Sequence, residues 1–279
     1  MRRVATLTAD GRERNLLDYL EPCTSWALST YSACEFRCVY CITGVQGVST
    51  PVCPKEQVAE RLRQELTTVD AHAAICVGGL CDAYPTVEMH YRVTRAAIEE
   101  LVAQERQFVI ITKGSSILRD RELLASHPRA QVRVSLCTTD EPALRRVDPK
   151  APSAEERLRV IHKLAAAGVR VAVSAAPWIP GVSDAKALIE RVDQCIPIRF
   201  GVLNVLAPEV AATPYGKRFT QDAVNDAFIR EFQRVDSRPN VTWLRPVSAD
   251  GSERRRHPFL DLLDSQESAP TPVPTTLSP

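Results

Sequence analysis

Three cysteines fall within eight residues of "ACEFRCVYC": Cys34, Cys38 and Cys41. Thiolates bind metals and exchange electrons or hydrogen atoms, so this crowding points to metal or redox chemistry. A structural zinc site takes four ligands, usually as two separated pairs. No second CxxC or CxxH occurs in the chain, and His72 and His90 do not stand at ligand-like spacing. The number three suits a [4Fe–4S] cluster better. Each of its four irons takes a ligand, and three protein thiolates leave one iron open to a small molecule. The blandest alternative is three packing thiols, a poor use of reactive groups in one short loop.

The CxxxCxxC spacing resembles the signature of the radical S-adenosylmethionine (SAM) superfamily. The resemblance implies that the open iron chelates the amino and carboxylate groups of SAM. It also implies that one electron from the cluster cleaves SAM to methionine and a 5′-deoxyadenosyl radical. "VGGL" (Val77 to Leu80) looks like the superfamily's glycine motif, which sets Gly78 and Gly79 against the methionine amino group. So close an approach needs backbone without side chains. Tyr40 matches the position whose backbone contacts the adenine.

Further segments are similar to the spore photoproduct lyase and DNA repair photolyase-like branch: "GGLCDAYPTVE", "VIITKGSSILRDRELL", "VRVSLCTTDE", "RRVDPKAPSAEERLRVIHKLAAAGV" and "SAAPWIPGVSD". That resemblance spans residues 25–184. It implies that Lys113 and Ser135 reach SAM, an ammonium suiting its carboxylate and a hydroxyl its carboxylate or ribose. It also implies that backbone at Ala175 or Ala176 meets the adenine. A substrate radical must then be quenched, and a thiol S–H bond is weak enough to give up hydrogen. Cys81 is the preferred donor, close to the position of the lyase's donor cysteine. Cys137 is the second candidate, two residues past Ser135 and so on the same strand face. "CDAYPT" stands where relatives read T-D-P-Y-Q-P, and Asp148-Pro149 where E-P is typical. These departures bear on the lyase reaction more than on radical initiation.

Positioning such groups takes a regular scaffold, and strands alternate with helices along the chain. Strands are predicted at 25–33, 73–79, 107–113, 131–138, 169–177 and 198–206. Helices are predicted at 53–68, 87–104, 116–126, 153–167, 184–194 and 219–235, with Gly168 as a helix stop. The alternation calls for a parallel sheet with crossover helices. Six units fall short of the eight of a closed barrel. The expected architecture is α/β, a partial (β/α)6 TIM-like barrel with a short C-terminal extension. Residues 1–24 are read as an N-terminal extension, 25–236 as the barrel, 237–265 as the C-terminal extension and 266–279 as a disordered tail, the last from its Pro, Thr and Ser.

The chain has 279 residues and a formal net charge of +1. That balance offers no bulk electrostatic case for nucleic acid or an anionic membrane. "ERRRH" (Glu253 to His257) is the one basic concentration. Nine cysteines, an odd number in a chain this long, argue against a disulfide framework and for a reducing cytoplasm. Cys23, Cys53, Cys76 and Cys195 are scattered and give no sign of an auxiliary cluster. No apolar run approaches the roughly 18 residues of a membrane helix. The expected partners are a small-molecule or peptide substrate of a biosynthetic pathway and a flavodoxin- or ferredoxin-type electron donor. DNA is less favoured, and no membrane is expected. Repair of a DNA lesion and a non-enzymatic iron–sulfur or zinc module are the competing readings.

Overall fold

Short runs rich in Val, Ile and aromatic residues build one sheet. The structure, a computed structural model, describes residues 16–20, 25–41, 52–206, 208–235 and 238–244. Cys23, the basic run Glu253–His257 and the tail 266–279 lie outside the described residues. The sheet has eight strands: β1 Leu17–Leu20, β2 Ser25–Leu28, β3 Ile75–Val77, β4 Phe108–Thr112, β5 Ala130–Ser135, β6 Val171–Trp178, β7 Ile198–Val202 and β8 Val241–Trp243. Their order in the sheet is their order in the chain. β1 pairs antiparallel with β2, and every later pair is parallel. This winding is that of a partial TIM-like barrel.

The helices are α1 Val58–Glu65, α2 Glu88–Tyr91, α3 Val93–Ala103, α4 Arg121–Ala125, α5 Glu141–Val147, α6 Ala154–Ala166, α7 Ala185–Arg191, α8 Pro208–Ala211, α9 Pro214–Arg218 and α10 Gln221–Arg234. α6 starts where Ser153 and Glu156 form a capping box, each side chain taking the other's backbone N–H. It stops at Gly168, whose φ of 81° only glycine adopts at little cost.

Residues paired across a parallel sheet share a face. Ile75, Phe108, Val132, Val173 and Phe200 belong to the main apolar core. Cys76, Val109 and Ile111 alternate with that set and form a separate buried group on the barrel interior. The register carries the interior face from Ile111 to Arg133, and from Ser135 through Ser174 to Arg199. Lys113, the residue after β4, shares the parity of Ile111. Thus Lys113, Ser135, Ser174 and Ala176 belong to one face, and Ala175 to the outer core.

Several boundaries differ from the sequence reading. β1 and β8 were not expected, because four and three residues are too few to show a period. The first predicted strand stops at Leu28, where the chain turns toward the cysteines. The segment 116–126 is a 3-10 turn, Ser115–Asp120, running into the short α4. The helix expected at 87–104 breaks at Arg92, which adopts a left-handed φ of 55°. The helix expected from Cys53 begins at Val58. α5 was not foreseen; Asp140 caps it by accepting from Ala143 N at 3.0 Å, and Pro142 sits in its first turn.

Candidate active site

The three cysteines lie on the loop that leaves β2, at the C-terminal end of the parallel strands. Two backbone hydrogen bonds pin this loop to the segment after α5: Val39 N donates to Val147 O at 2.9 Å, and Lys150 N to Phe36 O at 3.3 Å. A side chain adds a third tie. Tyr40 Oη donates to Asp148 Oδ1 at 2.6 Å. Asp148 Oδ2 takes Arg157 Nη1 at 2.7 Å, and both side chains of this pair are 0% exposed. Arg157 also donates to the carbonyls of Ser135 and Pro152, at 3.1 and 2.9 Å. Its Nη2 is buried with no hydrogen-bond partner among the described residues.

Lys113 joins the group from the end of β4. Its Nζ stands 5.6 Å from the centroid of the Tyr40 ring. Burial opposes its charge, but Cys38 and Asp148 outweigh burial and raise its pKa. The same fields act in reverse on Asp148. Burial alone would raise its pKa, yet Lys113, Arg157 and the hydrogen bond from Tyr40 hold it below the usual carboxylate value. Asp82 braces the other side of Lys113. It accepts from Lys113 N at 2.7 Å, Thr112 Oγ1 at 2.6 Å and Tyr84 N at 2.9 Å.

The thiols respond to these charges. Burial, and then Asp82, push the Cys34 thiol up to about 12, against the opposing pull of backbone N–H groups and Lys113. Burial also raises Cys38, and Lys113 is the largest force against it. None of these cysteines is in a disulfide. Among the described residues, no three Cys, His, Asp or Glu side chains are gathered tightly enough to share a metal ion. Cys34 sulfur faces the backbone N–H groups of Phe36 and Asp82. The donor set nevertheless fits an iron–sulfur cluster: three thiols on one loop, with the buried Lys113 ammonium favouring the ionised forms of Cys34 and Cys38. The unpartnered Nη2 of Arg157 and the Lys113 ammonium, which has no ion pair within 4 Å among the described residues, fit an anionic group nearby.

The remaining predicted residues divide. Gly78 has φ 86°, and a Cβ there would lie 2.4 Å from Ile111 O. At Gly79 a Cβ would come within 2.9 Å of Cys76 Sγ. Both glycines are therefore explained by local packing as well as by an approaching ligand. Ser135 is buried at the end of β5 on the Lys113 face. Cys137 is buried among the site's charges: burial raises its pKa to about 12, Asp148 adds to that, and Arg157 and Lys113 oppose it. Cys81 follows the glycine motif and is buried. Its thiol donates to Tyr31 O at 3.2 Å; burial raises its pKa, and Lys55 is the largest charge opposing that rise.

Sequence reasoning missed Asp82 and Arg157, and noted Asp148 only as a departure from the relatives' pattern, with no role in the site. All three lie in segments that carry the family resemblance, but spacing alone gives no sign that they meet the cysteine loop. Tyr40 and Asp148 are 108 residues apart.

The radical SAM superfamily model matches residues 28–192, more than half of the chain. "Uncharacterized protein Rv2578c" of Mycobacterium tuberculosis (strain ATCC 25618 / H37Rv) is 28% identical over 185 residues, 61% of this chain and 54% of that protein. The chain thus spans about half the length of the curated mycobacterial relatives it matches. Spore photoproduct lyase complexed with dinucleoside spore photoproduct aligns with TM-score 0.57 and 16% identity, over 84% of this chain and 80% of that one. Streptococcus suis SuiB bound to precursor peptide SuiA aligns with TM-score 0.57 and 14% identity, over 78% of this chain and 48% of that one. At such identities these two likenesses establish the shared fold. Among the described residues, no helix is long and apolar enough to cross a membrane.

Proposed function

The chain belongs to the radical SAM superfamily, whose cofactors are a [4Fe–4S] cluster and SAM, and from that premise we propose that it abstracts hydrogen from a small-molecule or peptide substrate. The observation that carries this reading is the meeting of the cysteine loop with Lys113, Ser135, Asp148 and Arg157 at one end of the barrel. When bound, the cluster and SAM supply a one-electron cleavage that yields methionine and the 5′-deoxyadenosyl radical. An external electron donor, flavodoxin- or ferredoxin-type in this reading, provides the electron.

The protein's own part is to bind, orient and enclose. Cys34, Cys38 and Cys41 would hold the cluster by their thiolates. Lys113 supplies a cation for the SAM carboxylate, and Ser135 a hydroxyl on the same face. The backbone at Gly78 and Gly79 receives the amino end, and that at Tyr40 and Ala176 the adenine. The neighbouring carboxylate of Asp148 keeps Lys113 charged. Burial around Cys38 and Cys137 keeps water from the reacting centre. Of the two spare thiols, Cys137 shares these groups and Cys81 does not, so Cys137 is the hydrogen donor this geometry favours. A peptide or small molecule accords with the near-neutral net charge of the chain.

The test is anaerobic reconstitution with iron and sulfide, then SAM, dithionite and candidate substrates in heavy water. Formation of 5′-deoxyadenosine, with deuterium entering the product, supports the reading. Cluster assembly without any SAM cleavage would instead leave an iron–sulfur binding module.

A further inference from the structure

We propose that Asp148 and Arg157 are positioning residues that clamp the cluster-bearing loop to the barrel; this rests on the assignment of Cys34, Cys38 and Cys41 as cluster ligands. Four observations converge on the clamp. The two backbone hydrogen bonds, Val39 N to Val147 O and Lys150 N to Phe36 O, zip the loop to residues 147–150. Tyr40, the neighbour of Cys41, donates its hydroxyl to Asp148. Arg157 holds the second oxygen of that carboxylate. Arg157 in turn grips the backbone of Ser135 and Pro152, so the loop is tied to both β5 and the start of α6.

The arrangement is more than ordinary packing. A carboxylate and a guanidinium at 0% exposure are costly to bury, and a well-packed apolar pair would stabilise the fold as well or better. What the ion pair adds is a fixed position. Each Asp148 oxygen has one charge-strengthened or short hydrogen bond, one from the loop and one from the scaffold. The carboxylate therefore transmits the position of α6 to Tyr40, and through Tyr40 to the ligand beside it. It also sets the field. Asp148 is close enough to Cys38 to act on its charge. Its negative charge beside a cluster disfavours the reduced, more negative form, so removing it should move the reduction potential upward.

The experiment uses the full chain, reconstituted anaerobically, as wild type and as Tyr40→Phe, Asp148→Asn and Asp148→Glu. Iron per chain, the rate of cluster loss to an iron chelator, the EPR signature of the reduced cluster and its reduction potential are measured. Melting of the cluster-free proteins reports folding. Tyr40→Phe removes one hydroxyl and keeps the fold. It should lose iron to the chelator at least threefold faster than wild type, with altered EPR lines. Asp148→Asn should do the same and also shift the potential upward, and Asp148→Glu should recover part of both. If Asp148→Asn does not fold, Tyr40→Phe decides on chelation rate and EPR signature. Wild-type rates and EPR lines in Tyr40→Phe, together with a wild-type potential in any folded Asp148→Asn, would overturn the clamp while leaving the cluster assignment standing. A wild-type chain that assembles no cluster would overturn the ligand assignment and the clamp with it.

Discussion

Glu88 and Asp120 are buried carboxylates in the segments that follow β3 and β4, and Asp148 is a third after β5, yet the first two are saturated and the third is not. Glu88 accepts from Tyr31 Oη, Thr94 N, Arg95 N and Arg119 Nη2. Asp120 accepts from Tyr84 Oη, Arg95 Nη1 and Arg119. Two acids face two arginines: Arg119 donates to both acids, and Arg95 to Asp120 and to Glu99 outside the pair. Around Asp148 donors remain. Arg157 Nη2 has no partner, and the Lys113 ammonium lies over the Tyr40 ring without an ion pair among the described residues. A saturated network stabilises and has no capacity for a ligand; an unsaturated one keeps donors for an anion. The thiols lie beside the second.

The sharpest contrast comes from cutting the saturated group. Arg119→Met leaves Glu88 and Asp120 short of their shared cation. Breaking a buried pair this way costs about 3–5 kcal/mol, read by chemical denaturation. Iron content per folded chain should stay at the wild-type value. Loss of the cluster in folded Arg119→Met would break the distinction between the two networks.

Next in size is the unsaturated group. Lys113→Ala should keep the cluster and weaken SAM binding by about ten- to a hundred-fold, the equivalent of roughly 1.5–3 kcal/mol for a charge-assisted hydrogen bond. Ser135→Ala should act in the same direction. Unchanged affinity in both, measured by calorimetry on the reconstituted protein, would remove β4 and β5 from the SAM site.

Gly78→Ala tests the end of β3, beside β4. A side chain at φ 86° with Cβ 2.4 Å from a carbonyl oxygen forces a backbone shift, at about 1–3 kcal/mol of stability. A melt that does not move would show that this backbone adjusts freely.

The smallest stability changes separate the two thiols. Cys81→Ala and Cys137→Ala should each cost about 1 kcal/mol, the scale of one small buried group. Only Cys137→Ala should change the product or its deuterium content. The same change in Cys81→Ala alone would return the donor role to the loop after the glycine motif.

The sequence made some of this legible and hid the rest for physical reasons. Cys34, Cys38 and Cys41 lie in one loop, so their spacing is visible in a single line of text. Lys113 and Ser135 are legible through the family resemblance, which puts a lysine and a serine at the ends of successive strands. Asp148 and Arg157 gave no such sign. Their meaning depends on Tyr40, which reaches them only because β5 and its following helices fold back over the β2 loop. The fold was legible where elements are long, as in α6 and β4. It was not where three or four residues, as in β1 and β8, are fixed by a neighbouring strand rather than by their own pattern. Arg92 broke a helix that periodicity alone would have continued.

The central claim is that the unsaturated group serves a cluster and SAM. Its most direct test is to measure iron and 5′-deoxyadenosine in anaerobically reconstituted wild type and in Cys34→Ala, Cys38→Ala and Cys41→Ala, each with SAM and dithionite. The account predicts about four irons per wild-type chain and 5′-deoxyadenosine formed, with SAM cleavage abolished in each variant. Wild-type 5′-deoxyadenosine formation in any one of the three variants would contradict it.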